Sequence, residues 1–196
     1  MKEIEVKIKL PNGFDSNLFN EELFIINSSL VKDVYYDNID GTLLKQDKVL
    51  RLRSYGGTTL LAYKNSRKEN SEKMIIRDEF ETKVENYDTA DKILLGLDYT
   101  YRDIVEKVRT NLKSKCFPNL SITIDKYPFI GTFMEIEGDK DEINHFLNKY
   151  NIDRDNQDIK NCTEAFLDYC SIKGIQFDNP RIHFTFCDEE KLNNSK

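Results

Sequence analysis

The sequence has only two histidines, His145 and His183, among 196 residues. His145 lies in a helix-like segment and His183 in the tail, so neither points to catalysis. No Ser/His or Cys/His nucleophile pair is apparent. The four cysteines, Cys116, Cys162, Cys170 and Cys187, contain no C-x-x-C pair, which excludes zinc ribbons and dithiol redox motifs. They read as free thiols of a reducing, cytoplasmic compartment. No stretch reaches the roughly 20 apolar residues of a membrane span, and no apolar signal core follows Met1. A basic excess is also missing. The net charge is −6 and the pI about 5.1, which weighs against a surface that tracks a nucleic-acid backbone. A local basic pocket stays open.

What is present is charge and alternation. Hydrophobic residues make up 39% and charged residues 33%, a globular composition at the charged end of the normal range. The length suits one domain, placed at 1–175, with a partly irregular tail at 176–196. Strands are expected at 2–10, 31–37, 49–55, 58–64, 73–83, 99–113, 119–126 and 131–138. Gly56-Gly57 between two alternating runs marks a hairpin. Helices are expected at 15–27, capped by Asp15 or Ser16, at 88–96, capped by Asp88, at 139–150, and at 161–173, capped by Asn161 or Thr163. A polar loop covers 65–72.

The polar faces of the strands share one chemistry. In the opening MKEIEVKIKL, Ile4, Val6 and Ile8 alternate with Glu3, Glu5 and Lys7. Further along, the same spacing of two gives Arg51 and Arg53, then Lys64, then Arg77, Glu79 and Glu81. It recurs with Lys107 and Arg109, with Asp125 after Ser121 and Thr123, and with Glu135 and Glu137. A water-facing side would mix in neutral polar residues, and the opposite faces are strongly apolar. The pattern predicts a mainly β, α+β fold: an eight-stranded antiparallel closed barrel, inverted so that charge lines the lumen and apolar residues face covering helices. Isolated buried charge is costly, so such a lumen must be hydrated, paired or filled by a polyvalent ligand.

The candidate cations Lys7, Arg51, Arg53, Lys64, Arg77, Lys107 and Arg109 balance the carboxylates Glu3, Glu5, Glu79, Glu81, Asp125, Glu135 and Glu137. Guanidinium and ammonium groups suit phosphate; paired carboxylates suit hard divalent cations. A triphosphate with Mg2+ or Mn2+ would add almost no net charge to the lumen.

These residues resemble the CYTH superfamily, the triphosphate tunnel metalloenzymes. Its Glu-x-Glu-x-Lys hallmark matches Glu3-Ile4-Glu5-Val6-Lys7. YYD at 35–37, LRLR at 50–53, LAYK at 61–64, RDEFE at 77–81, EKVR at 106–109, TID at 123–125 and FMEIEG at 133–138 follow in the family's order. The spacing is most similar to the class IV adenylate cyclase (CyaB-type) branch. The resemblance implies metal binding by Glu3, Glu5, Glu135 and Glu137, with Glu79, Glu81 and Asp125 as further candidates. It implies phosphate binding by the seven cations, and a catalytic set of Glu5, Lys7, Lys64 and Arg53. Tyr35, Tyr36 and Asp37 match a family motif, the tyrosines with a structural role.

Three activities follow as expectations. A metal-dependent triphosphatase acting on nucleoside, thiamine or inorganic triphosphate leads, since it asks only for water. An adenylate cyclase making cyclic AMP and pyrophosphate is the first alternative; a non-catalytic module for phosphorylated ligands is the second. The expected partner is a small triphosphate, with a 5′-triphosphate RNA end as a narrower case, no membrane, and a homodimer as an option.

Overall fold

The computed structural model describes residues 2–11, 22–69, 72–175 and 182–194. Among these residues ten strands and five α-helices follow one another as β1 (Lys2–Lys9), β2 (Leu23–Asn38), α1 (Thr42–Lys45), β3 (Val49–Tyr55), β4 (Thr58–Lys64), β5 (Lys68–Glu69), β6 (Ile75–Val84), α2 (Tyr87–Gly96), β7 (Tyr99–Ser114), β8 (Ser121–Tyr127), β9 (Gly131–Glu137), α3 (Lys140–Lys149), α4 (Cys162–Lys173), β10 (Ile182–Phe184) and α5 (Phe186–Asn194). Eight strands pair in the order β1-β9-β8-β7-β2-β3-β4-β6, and β6 returns to β1. All of these pairings are antiparallel, so the barrel is closed and keeps no open edge along its circumference. Short β5 adds to β6, and β10 lies parallel to β7.

The alternation acts as expected. Val6, Ile8, Ile122, Met134 and Ile136 point outward and are covered by Ile143, Phe146 and Leu147 of α3. Val34, Tyr36 and Leu52 point outward beneath Leu94 of α2. The β3–β4 hairpin turns on Gly56 and Gly57, with φ of 52° and 78°. Both angles lie in the left-handed region that a tight two-residue hairpin needs and that glycine adopts without steric cost.

A third cluster closes one end of the barrel. Tyr35, Val105, Tyr127 and Phe133 point inward and meet Phe166 and Cys170 of α4 and Phe184 of β10. Phe166 and Phe184 stack with ring centres 4.5 Å apart. Among the described residues of the tail a strand and a helix follow residue 181, and Phe184 belongs to the core because β7 extends past β8 and there pairs with β10.

Two readings are corrected. The helix expected at 15–27 fails over residues 23–27, which begin the 16-residue strand β2; residues 15–21 lie outside the described residues. The apolar run Leu23, Phe24 and Ile26 satisfies both periods, and continuous pairing with the equally long β7 decides for the strand. The cap of α2 is Asn86, whose side chain accepts the Thr89 N–H, so Asp88 falls inside the first turn. Asn161 caps α4 in a reciprocal capping box with Glu164.

Candidate functional site: the charged lumen

Inside the barrel lies a cavity of about 610 Å3. Thirteen of the fourteen charged residues singled out by alternation line it: Glu3, Glu5, Lys7, Arg51, Arg53, Lys64, Arg77, Glu79, Glu81, Lys107, Arg109, Glu135 and Glu137. The exception is Asp125, which sits behind the lining, fully buried.

Around the barrel the two signs separate. On β7, β2 and β3 the cations are held from behind by buried carboxylates. Asp33, 1% exposed, accepts two hydrogen bonds from Arg53, from Nε at 2.7 Å and from Nη2 at 2.9 Å. Arg51 Nε stands 3.7 Å from the same carboxylate. Asp125 accepts from Lys107 at 2.6 Å and from Arg109 Nε at 2.7 Å. Arg109 reaches across to Glu135 at 2.6 Å. Burial pushes the Asp33 carboxyl up, but the guanidiniums of Arg53 and Arg51 overcome this and hold it well below the usual carboxylate range. Lys107 is pushed down by burial and by Arg109, with Asp125 opposing.

On β9, β1 and β6 carboxylates dominate. Most cross-strand neighbours in the lumen carry opposite charge: Glu3 faces Arg77, Lys7 faces Glu135 and Lys64 faces Glu79. Glu5, by contrast, lies directly opposite Glu137, a like-charge pairing that destabilises a sheet. Lys64 bridges Glu79 at 2.6 Å and Glu3 at 3.1 Å. Arg77 reaches Glu3 and Glu5 only at 3.6 Å. Burial raises the Glu3 carboxyl above its ordinary value; Lys64 opposes this, while the hydrogen-bonded Glu79 and nearby Glu5 add to it. Glu79 goes the other way: burial is outweighed by Lys64 and by the hydrogen bond with Glu3. Glu137 is also raised, by burial and by Glu5, Glu79 and Glu135, against the pull of Lys64.

Several charges in the lumen lack a close counterpart. Lys7 is 8% exposed, lies over the Phe133 ring at 5.3 Å, and has no ion-pair partner among the described residues, as is also true of Glu137. The Nε atoms of Arg51 and Arg77 are buried without a hydrogen-bond partner among those residues. Arg51 meets Glu79 and Glu81 only at 3.9 and 3.7 Å.

The lumen's acidic wall offers oxygen donors only, the set a hard divalent cation takes. Among the described residues no three carboxylates, histidines or cysteines converge on one point. The glutamates turn instead to Lys64, Arg77 and Arg109. Burial first, and neighbouring carboxylates second, raise Glu3 and Glu137; a bound divalent ion would offset both, so the donor set fits such an ion once the side chains leave their cations.

Asp33 and Tyr35 are in phase with the alternation of VKDVYYD and point inward. Tyr35, expected to be structural, lines the cavity; Asp33, which the sequence reading passed over, sits behind the lining with Arg53 and Arg51. Asp37 of the same motif is structural: its carboxylate accepts the N–H groups of Asn38, Leu43 and Leu44 and so seats α1. Tyr36 points outward and donates to Asp91 at 2.6 Å. Other lining residues were also missed: Arg67, Lys160, Asn161 and Cys162 line the cavity near the start of α4 and carry no alternation signal.

The comparisons with known proteins agree with this architecture. No curated protein matches the chain in sequence. A structure of the PH1819 protein from Pyrococcus horikoshii is similar at a TM-score of 0.67 and 23% identity, covering 85% of this chain and 98% of that one. A protein from Vibrio parahaemolyticus, provisionally termed an adenylate cyclase, is similar at 0.67 and 19%, covering 84% and 97%. A Hippeastrum protein, provisionally termed an adenylyl cyclase and having a dominant triphosphatase activity, is similar at 0.61 and 19%, covering 90% and 98%. These likenesses concern the fold. In sequence, the CYTH domain family matches residues 1–158, a span that holds every charged strand of the lumen, and the chain belongs to that family.

Proposed function

We propose that the protein is a divalent-metal-dependent triphosphatase that binds the phosphate chain of its substrate inside the barrel. The observation that carries this reading is the pair of unmet charges facing one cavity. Lys7 is buried with no carboxylate within ion-pair distance among the described residues, although Glu135 faces it across the strands, while Glu5 and Glu137 oppose each other across β1 and β9. A neutral ligand answers neither. A triphosphate with a divalent cation answers both, the anion for Lys7, Arg51 and Arg77 and the cation for the glutamates.

Glu3, Glu5, Glu79, Glu81, Glu135 and Glu137 would hold Mg2+ or Mn2+, which supplies Lewis-acid polarisation of phosphate oxygens when bound. Asp125 would act through Lys107 and Arg109, since its oxygens are already taken by them. The remaining chemistry rests on the chain itself. Lys7, Arg51, Arg53, Lys64, Arg77, Lys107 and Arg109 bind and orient the phosphates and stabilise charge that grows on them as the bond breaks. Water attacks the terminal phosphorus, the bond from that phosphorus to the bridging oxygen breaks, the remaining diphosphate leaves, and a lumen carboxylate takes the water's proton as orthophosphate forms. Glu5, Lys7, Arg53 and Lys64 would contact the reacting group. The dominant triphosphatase activity of the structurally similar Hippeastrum protein supports hydrolysis.

Cyclisation of ATP is the second reading, favoured by the Vibrio neighbour's provisional assignment. It requires the ribose 3′-hydroxyl against the α-phosphate in place of water. Phosphorus NMR of the protein with ATP, and separately with inorganic triphosphate, each with Mg2+ and Mn2+, tests both. Orthophosphate is the expected product. Pyrophosphate with cyclic AMP and no orthophosphate would replace hydrolysis by cyclisation; triphosphate binding without turnover would leave a binding module.

A further inference from the structure

The lumen is not the only cavity in its neighbourhood. A second, of about 500 Å3, adjoins it near α4, and the two share Arg67, Ile75 and Lys160 as lining. Arg67 is fastened across this boundary. Its backbone N–H donates to Asp47 at 2.8 Å and its Nε to the same carboxylate at 2.9 Å. Nη1 donates to the Ile159 carbonyl at 2.8 Å, and Nη2 to Glu164 at 2.9 Å. One side chain thus ties three segments: the link between β4 and β5, the turn before β3, and the first turn of α4. Glu164 is itself fixed, because it accepts the Asn161 N–H in the capping box. Such a bidentate, charge-assisted arrangement has little freedom.

We infer that Arg67 is a specificity-determining bolt that closes the lumen at its α4 end and so limits the number of phosphates a linear chain can place inside. The proposal rests on the triphosphate reading of the lumen. With the bolt in place, a chain entering the barrel meets the aromatic cluster of Tyr35, Tyr127 and Phe133 along one side and Arg67 along the other. Removing the guanidinium joins the two cavities and gives a longer chain room to continue. Nothing in the alternation of the strands predicts this, since Arg67 lies outside the paired runs.

Binding of inorganic triphosphate and of linear polyphosphates of graded length, measured calorimetrically on the full chain with Mg2+, tests the idea. Wild type is expected to favour triphosphate over the longer chains, and Arg67→Ala to reduce that preference at least tenfold. Arg67→Ala also removes a cation, so the double variant Asp47→Asn/Glu164→Gln serves as the second probe. It keeps the Arg67 cation, removes the two carboxylates that fasten it, and is expected to shift the preference in the same direction. Equal changes in affinity for all chain lengths in both variants would overturn the bolt while leaving the lumen's function intact. Failure of wild type to bind triphosphate at all would instead overturn the functional reading on which the bolt depends.

Discussion

The two walls of the lumen are written in the same alternating pattern yet reach opposite electrostatic states. On β7, β2 and β3 each buried carboxylate serves cations: Asp33 holds Arg53 and faces Arg51, and Asp125 holds Lys107 and Arg109. On β9, β1 and β6 glutamates crowd one another, with Glu5 opposite Glu137 and Glu3 hydrogen-bonded to Glu79. Apart from Arg51, whose Nε has no hydrogen-bond partner among the described residues, the first wall is paired as folded. The second is left unbalanced, as a site is when its counter-charge arrives with a ligand. Buried carboxylates hold the cations of one wall in place, and the unmet charges show where a ligand's own charge would be taken up.

Breaking the paired wall should cost most. Asp125→Asn leaves Lys107 and Arg109 buried beside a neutral group and should lower stability by about 3–5 kcal/mol, the cost of removing one partner of a buried pair. Urea unfolding measures it, and a loss no larger than that of an exposed charge would contradict the frame role. On the other wall, Glu5→Gln should lower metal-dependent turnover on the order of 10²–10³-fold, the scale of one charge-stabilising group, with little change in the urea midpoint. Wild-type turnover in this variant would remove Glu5 from the site.

The walls should also differ in their response to acid. The folded Asp33 carboxyl lies below its unfolded value of about 3.9, so its contribution is fully present above that value. It is lost as pH falls through the folded range. The stability gap between wild type and Asp33→Asn should therefore stay constant from neutral pH down to about pH 5 and narrow below about pH 4. A gap that widens in acid would reverse the assignment. The smallest effect, and the sharpest contrast, is expected for Glu137→Gln. Its carboxyl is raised by burial and by neighbouring carboxylates, so neutralising it should raise the metal-free melting temperature, by up to about 2–4 °C, the shift that about 1 kcal/mol gives a chain of this length. A fall would show that Glu137 has a cationic partner in solution.

Much of the barrel was legible because its alternation is strict where both faces are specified. Ile4, Val6 and Ile8 against Glu3, Glu5 and Lys7 leave β1 one way to sit, since a slip of one residue would put charge against α3. Legibility failed where a residue's role depends on a distant partner. Leu23 and Phe24 fit a helix until β7 pairs with them. Asp33 was in phase but single, and its meaning comes from Arg53 on the next strand. Arg67 and Lys160 stand in polar connections where nothing periodic singles them out; only the fold brings Arg67 between Asp47 and Glu164. Phe184 is one of three phenylalanines, with Phe177 and Phe186, in an otherwise largely polar tail until β10 docks beside β7.

The order of strands around the barrel has a kinetic meaning. β1 closes the ring, with β6 on one edge and β9 on the other. During synthesis its residues emerge early, yet its second edge has no partner until Gly131–Glu137 has been made. Contacts this distant along the chain are slow to form because loop closure comes before its reward. Glu3, Glu5 and Lys7 are therefore expected to reach their places late, when β1 meets β9, so a chain that stalls short of that closure would have its frame but no closed lumen.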